Sequence, residues 1–203
     1  MKYLLIVLLW IGFGVIHSLM IDEKFSKQVA KVMGRYFVFY RLTYNMLSMV
    51  LLWLLLDFTR DVDHTFIIHF SSPWSIIQYL LMTVSVATIL WALFSYDVFE
   101  FVGIRPILDS VRGKLTVVEK LQPLTKQGLL GVVRHPMYLA TIVLMWSLNS
   151  TLADVMVHVV MTVYIIVGIR LEEKKLISKY GQDYIDYQRE VPALIPFSKN
   201  LVN

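Results

Sequence analysis

The sequence predicts an all-α integral membrane protein of about five transmembrane helices, including a C-terminal helical hairpin, followed by a cytosolic helical tail. Three observations predict it. Of the 203 residues, 57% are hydrophobic and the mean hydropathy is +0.63, whereas soluble domains are about half apolar or less. Apolar runs of membrane-crossing length recur along the chain. Lys and Arg are sorted between loops in the pattern expected of a membrane topology.

The same composition excludes several classes. With 0 cysteines there are no disulfides, thiolate metal sites or cysteine nucleophiles. The 5 histidines are scattered with no H-x-x-x-H pair, so no metal signature is present. A net charge of +4 reads as topology here, not as nucleic-acid binding.

Residues 3–21 are an uncharged apolar run. A secretory signal has a shorter apolar core and a small-residue cleavage site, so this run reads as a retained transmembrane helix. His17 and Ser18 near its end read as an interfacial polar pair; a polar group facing a site between helices is the alternative. Residues 22–35 are charged and mildly amphipathic, with Phe25, Val29, Val32 and Met33 able to share a face. They suit a short helix on the membrane surface, ended by Gly34. Residues 36–56 form the second span. Arg41 in its first turns either snorkels to the inner interface, which its place near the end favours, or lines a cavity. Asn45, one turn later, is expected to bond between helices. Residues 57–73, with Asp57, Asp61, Asp63, His64 and His69, read as an outer loop. Residues 74–96 form the third span, with aromatics at both ends.

Residues 97–133 read as a long cytosolic loop, a kind of segment that is usually functional or disordered. Phe99-Glu100-Phe101 fits the interface, and residues 114–121 fit a short strand or an amphipathic turn equally well. Residues 136–149 are too few for an untilted crossing. With a turn at 149–151 and a return run at 152–171 they form a helical hairpin. Asp154 and His158, near its outer end, read as interfacial. Lys and Arg number four in residues 22–35, one in 58–73, six in 97–134 and six in 170–203. Five spans with the N-terminus outside and the C-terminus inside put every rich loop in the cytosol. The chain thus divides into three spans with the amphipathic segment (1–96), a cytosolic loop (97–133), and a hairpin with its tail (134–203).

The stretch 131–138, GVVRHPMY, opens the hairpin. Pro136 lacks a backbone N–H and has a fixed φ, so it fits the first helical turn, with His135 at the N-cap. Arg134-His135, a helix N-terminus and Tyr138 at i+3 from His135 make an anchor for a small ligand carrying a carboxylate. A positively charged helix start marking the cytoplasmic side is the simpler reading, and this octet alone favours it. Further on, Leu176, Ile177 and Tyr180 repeat at helical spacing and Gly181 breaks the run. Tyr184 and Tyr187 then share a helix face, and Val191-Pro192 and Ile195-Pro196 force an extended tail. Glu172-Glu173-Lys174-Lys175 alone reads as a solvated helix of mixed charge.

In combination these motifs are more specific. Arg134, His135, Pro136 and Tyr138, then Glu172, Glu173 and Leu176, Tyr180-Gly181, Tyr184 and Tyr187, and Val191-Pro192 follow in order and at set spacing. Over residues 128–197 the chain resembles the isoprenylcysteine carboxyl methyltransferase family and its bacterial relatives. Gly128-Leu129-Leu130-Gly131 replaces the aromatic Gly-Pro-Tyr type of lead-in often seen there. His17-Ser18-Leu19, Gly34-Arg35-Tyr36 and residues 40–45, YRLTYN, resemble the methanethiol S-methyltransferase and NnrU-like branches.

The resemblance implies an integral-membrane methyltransferase of the bacterial inner membrane that uses S-adenosyl-L-methionine at the cytosolic face. By this implication His135, Pro136, Tyr138, Glu172, Tyr184 and Tyr187 hold the cofactor. Arg134, Glu173 and Arg189 are the catalytic candidates, the arginines orienting an anionic group. Either glutamate suits the methionyl ammonium or the ribose hydroxyls, and the tyrosines suit adenine or the sulfonium. The implied acceptor is a small thiol, or a lipophilic thiol or carboxylate arriving from the bilayer. No metal or nucleic acid is implied. The alternative is a non-enzymatic, NnrU-like membrane protein of assembly or transport. A small transporter ranks last, because the sequence shows no internal repeat.

Overall fold

The computed structural model describes residues 1–95, 97–113 and 124–198, and most of its ordered elements are α-helices. The chain forms two compact units. One comprises Met1–Ile67, Leu93–Lys120 and Ser150–Met161; the other comprises Ile68–Ala92, Leu121–Asn149 and Thr162–Asn203.

In the first unit, α1 (Lys2–Ile21) lies antiparallel to α3 (Tyr40–Val62). The pair is marked by polar contacts at Tyr3, Trp10 and His17, which are seven residues apart on one face. Tyr3 donates to Asp63 (3.2 Å), Trp10 to the Thr59 hydroxyl (3.1 Å), and His17 Nδ1 lies 3.1 Å from the Ser48 hydroxyl. Ile6, Trp10, Ala153 and Val157 are the buried core of this unit. Large apolar side chains such as Leu8 and Trp53 remain more than half exposed. In a bilayer the acyl chains solvate these surfaces, and each helix satisfies its own backbone.

Asp22 caps α2 (Glu23–Met33) by accepting from the N–H groups of Lys24 and Phe25. Gly34 ends it at φ +51°, as expected, and a 3-10 turn over Gly34–Phe39 leads into α3. The second span therefore starts four residues later than the sequence implies. It also runs six residues further, to Val62, through part of the predicted outer loop. Thr59 makes this possible: it takes the Trp10 indole N–H and returns its hydroxyl to the Leu55 carbonyl. A short strand β1 (Phe66–Ile68) follows and pairs with β2 (Ser150–Thr151).

The predicted loop 97–133 is partly helical. Asp97 caps α5 (Val98–Val102) by accepting from Glu100 N–H, Gly103 breaks the run at φ +95°, and α6 (Ile104–Val111) continues. Asn45 donates to the carbonyls of Phe101 and Val102 (3.1 and 3.0 Å), an inter-helix bond at the end of α5. Arg41 is partly exposed and lies 3.9 Å from Glu100. Residues 114–121 lie outside the described residues.

The third span is α4 (Trp74–Ser95). In the second unit the hairpin starts with α7 (Pro136–Trp146). Its 11 residues span roughly 16 Å, about half of a hydrocarbon core. By length and composition, four helical segments among the described residues are long and apolar enough to cross, and α7 is a shorter apolar helix, in keeping with the short first arm expected of the hairpin. Its end is fixed by Gln78, whose amide donates to the Ser147 carbonyl and the Asn149 side chain (2.9 and 3.2 Å). Thr151 and Asp154 then form a reciprocal capping box at the start of α8 (Leu152–Tyr180). The 29 residues of α8 measure about 44 Å. The apolar stretch 152–169 is membrane-length, and the charged end from Arg170 extends past it. Gly181, at φ +60°, separates α8 from α9 (Gln182–Glu190).

Gly103 supplies a test. A Cβ there would meet Leu42 N at 2.6 Å and Arg41 Cβ at 2.9 Å, at a φ that L side chains rarely adopt. Gly103→Ala is expected to destabilise the protein by about 1–3 kcal/mol or more, read as a lower melting temperature in detergent. Gly168→Ala, where nothing lies within 4 Å, is expected to leave melting unchanged or slightly raised.

Candidate functional site

The site is built where three segments meet within the second unit. The first is the approach to α7. His135 has a non-helical backbone (φ −123°, ψ 63°) as the residue before proline, and Pro136 opens the helix. The second is the charged end of α8. The third is α9 with the extended residues after it. Two backbone bonds join the first and third: Arg134 N–H to the Pro192 carbonyl (2.9 Å) and His135 N–H to the Ala193 carbonyl (3.1 Å).

Glu173 is the hub. Its Oε1 accepts from Arg134 Nε (2.8 Å) and Nη2 (2.6 Å) and faces His135 Nε2 at 3.2 Å. Its Oε2 accepts from the Gln188 amide at 3.0 Å. Arg134 Nη1 donates in addition to the carbonyls of Gln188 and Val191. The side chains of Arg134 and Glu173 are 7% and 15% exposed, and Glu172 is 44% exposed. Glu172 accepts from the Tyr138 hydroxyl at 2.9 Å and lies 4.0 Å from His135 Nδ1. The His135 and Tyr138 rings stack, with centroids 5.6 Å apart.

Tyr184 and Tyr187 share a face of α9, and both are buried with edge-to-face rings. The Tyr187 hydroxyl donates to the Leu130 carbonyl (2.6 Å). Tyr184, Tyr187 and Val191 form the core beneath the cluster. Arg189 is on the exposed side of α9 and pairs with Asp186 at 3.1 Å. The structure thus brings Arg134, His135, Tyr138, Glu172 and Glu173 together, puts Tyr184 and Tyr187 under them, and puts Arg189 at the surface. Sequence reasoning missed Gln188, although its place four residues after Tyr184 sets it on the same helix face.

The electrostatics follow from these contacts. Burial alone would raise the Glu173 carboxyl. The hydrogen bonds and charges of His135 and Arg134 outweigh it and hold Glu173 below the ordinary glutamate range. Burial, then the neighbouring Glu173 charge, pushes the Tyr184 phenol up, so it stays neutral. The arrangement offers an ionised, anchored carboxylate inside and a second, reachable carboxylate beside it.

A family model described as NnrU protein matches residues 4–196. The chain belongs to the NnrU protein family. This NnrU-family chain also resembles proteins named Methanethiol S-methyltransferase. One from Pseudomonas deceptionensis is 30% identical over 192 residues, 94% of this chain and 71% of the relative. Another, Methanethiol S-methyltransferase 1 from Bradyrhizobium diazoefficiens, is 37% identical over 128 residues, 60% of this chain and 43% of the relative. A third, from Mycobacterium tuberculosis, is 33% identical over 117 residues, 55% of this chain and 45% of the relative. The chain therefore spans less than half the length of these last two. No solved structure matches.

Removing Arg134 leaves Glu173 buried without its main counter-charge and frees two carbonyls. Arg134→Ala is expected to destabilise by about 3–5 kcal/mol, read as a large drop in melting temperature. Adding Glu173→Gln is expected to recover part of that loss. Glu173 also predicts a pH dependence. Its folded value is depressed, so its stabilising contribution is full above about pH 4.3, the ordinary glutamate value. That contribution is lost as pH falls through the depressed value. Glu173→Gln is expected to flatten this acid limb in melts across pH.

Proposed function

We propose that the protein is a membrane methyltransferase that uses S-adenosyl-L-methionine to methylate a small thiol at the cytosolic face of the membrane. The observation that carries this reading is the cluster itself: Glu172 stays reachable while Arg134 and Glu173 are consumed by each other and by the chain. Similarity to proteins named methanethiol S-methyltransferase supports the same reading and suggests methanethiol as the acceptor to try first.

The residues present fit the cofactor. Its ammonium and ribose hydroxyls are donors, and the exposed Glu172 carboxylate, steadied by Tyr138, is an acceptor of the right charge. The opening turn of α7 offers N–H groups and a positive dipole end to a carboxylate. When bound, S-adenosyl-L-methionine supplies a methyl group that is already activated. What remains for the protein is to bind, orient and exclude water. In this reading Arg134 and Glu173 act as positioning residues, and Tyr184 and Tyr187 support the cluster from the core. The distribution of Lys and Arg between the loops supports the cytosolic location.

A non-enzymatic role is the second reading. The match of residues 4–196 to the family model described as NnrU protein, a description that names no methyl transfer, favours it.

Calorimetry with S-adenosylhomocysteine on protein in lipid separates the two. Micromolar binding is expected, weakened at least tenfold in Glu172→Ala and several-fold in Tyr138→Phe, with melting unchanged. No binding by a folded sample would contradict the methyltransferase reading.

A further inference from the structure

We propose that His135 is the general base that removes the proton from a thiol acceptor, with its tautomer set by Glu173. This rests on the methyltransferase reading and deepens it by naming the group that activates the thiol.

A neutral imidazole has one N–H donor and one acceptor nitrogen. Glu173 Oε1 accepts from two nitrogens of Arg134, so it is a carboxylate and cannot donate. His135 Nε2, 3.2 Å from the same oxygen, therefore carries the ring proton. Nδ1 is left as the acceptor. Its nearest charged neighbour is Glu172 Oε2 at 4.0 Å, beyond hydrogen-bond distance. Nδ1 is thus the ring nitrogen on the side of the partly exposed Glu172. The ring cannot swing away: it is 6% exposed and stacked on Tyr138. The charged and titratable groups that face it are Glu172 and Glu173 from α8, with Arg134 and Tyr138 beside it; Tyr184 from α9 interacts with the two glutamates and Arg134.

A simple thiol is mostly protonated at neutral pH, and the thiolate is the nucleophile. The S–H bond breaks, the electron pair stays on sulfur, and the proton moves to Nδ1. Glu173 stabilises the imidazolium so formed. Methylation of a neutral thiol releases one proton overall; it stays on Nδ1 through the transfer and passes to solvent once the product leaves. A carboxylate acceptor is already ionised at that pH and gives such a base nothing to do. The geometry therefore points to S-methylation.

His135→Gln separates the base from the scaffold, because a glutamine amide can still donate to Glu173 but cannot take a proton. Turnover is read as kcat at saturating donor, with S-adenosylhomocysteine affinity measured separately, so that a change in cofactor binding by this variant does not enter the comparison. Transfer to an alkyl thiol is expected to fall by about 10²–10⁴-fold, and to recover as the thiol is made more acidic or the pH is raised. Equal losses across a series of thiols of graded acidity, or no loss at all, would overturn the proposal. So would a wild-type protein that binds S-adenosylhomocysteine but methylates no thiol. A wild type that binds neither donor nor product sinks the underlying reading instead. A second readout is independent of turnover and of the variant's folding. ¹⁵N spectra of histidine-labelled wild-type protein are expected to show His135 with a protonated Nε2 and a bare Nδ1; the opposite tautomer would refute the assignment.

Discussion

The second unit depends on one buried carboxylate. Glu173 is mostly removed from solvent, and an ion in that position must be paired and hydrogen-bonded. Its four donors come from Arg134, His135 and Gln188, on segments separated by as many as 54 residues. Arg134 extends the same network to the carbonyls of Gln188 and Val191. The approach to α7, the end of α8 and the chain after α9 are thereby one object. Removing one member leaves the others unsatisfied, which makes the cluster cooperative.

The first unit meets a different constraint. Lipid tails are as apolar as leucine, so burying leucine between helices gains little in a bilayer. Polar contacts and close packing must choose the helix partners instead. The seam Tyr3–Asp63, Trp10–Thr59 and His17–Ser48 does this along α1 and α3, and Asn45 does it for α5. This explains why the strongly buried residues are few and why long apolar side chains line the outside.

Much of this was legible in the sequence. Apolar run length found α1, α4 and the crossing part of α8, and Pro136 and Gly181 marked helix boundaries because only their backbone chemistry fits there. The end of α3 was not legible, because Asp57, Thr59 and Asp61 read as a loop until Trp10 supplies Thr59 with a partner from another helix. Nor were α5 and α6, because Gly103 and Pro106 interrupt their short apolar runs and make the stretch read as loop. At the site, sequence order grouped Arg134, His135, Tyr138, Glu172 and Glu173, but it held no information on which glutamate is buried. That follows from helix phase: Glu173 faces α9 and Glu172 points where Tyr138 reaches it.

The central claim is that the Glu173 cluster, with Glu172 at its open edge, is where the methyl donor is held. Amide hydrogen exchange in lipid nanodiscs, with and without saturating S-adenosylhomocysteine, tests it most directly. The account predicts slowed exchange in residues 134–139 and 172–176, with no comparable change in α1 or α3. Unchanged exchange in both segments at saturating ligand, or protection confined to α1 and α3, would contradict it.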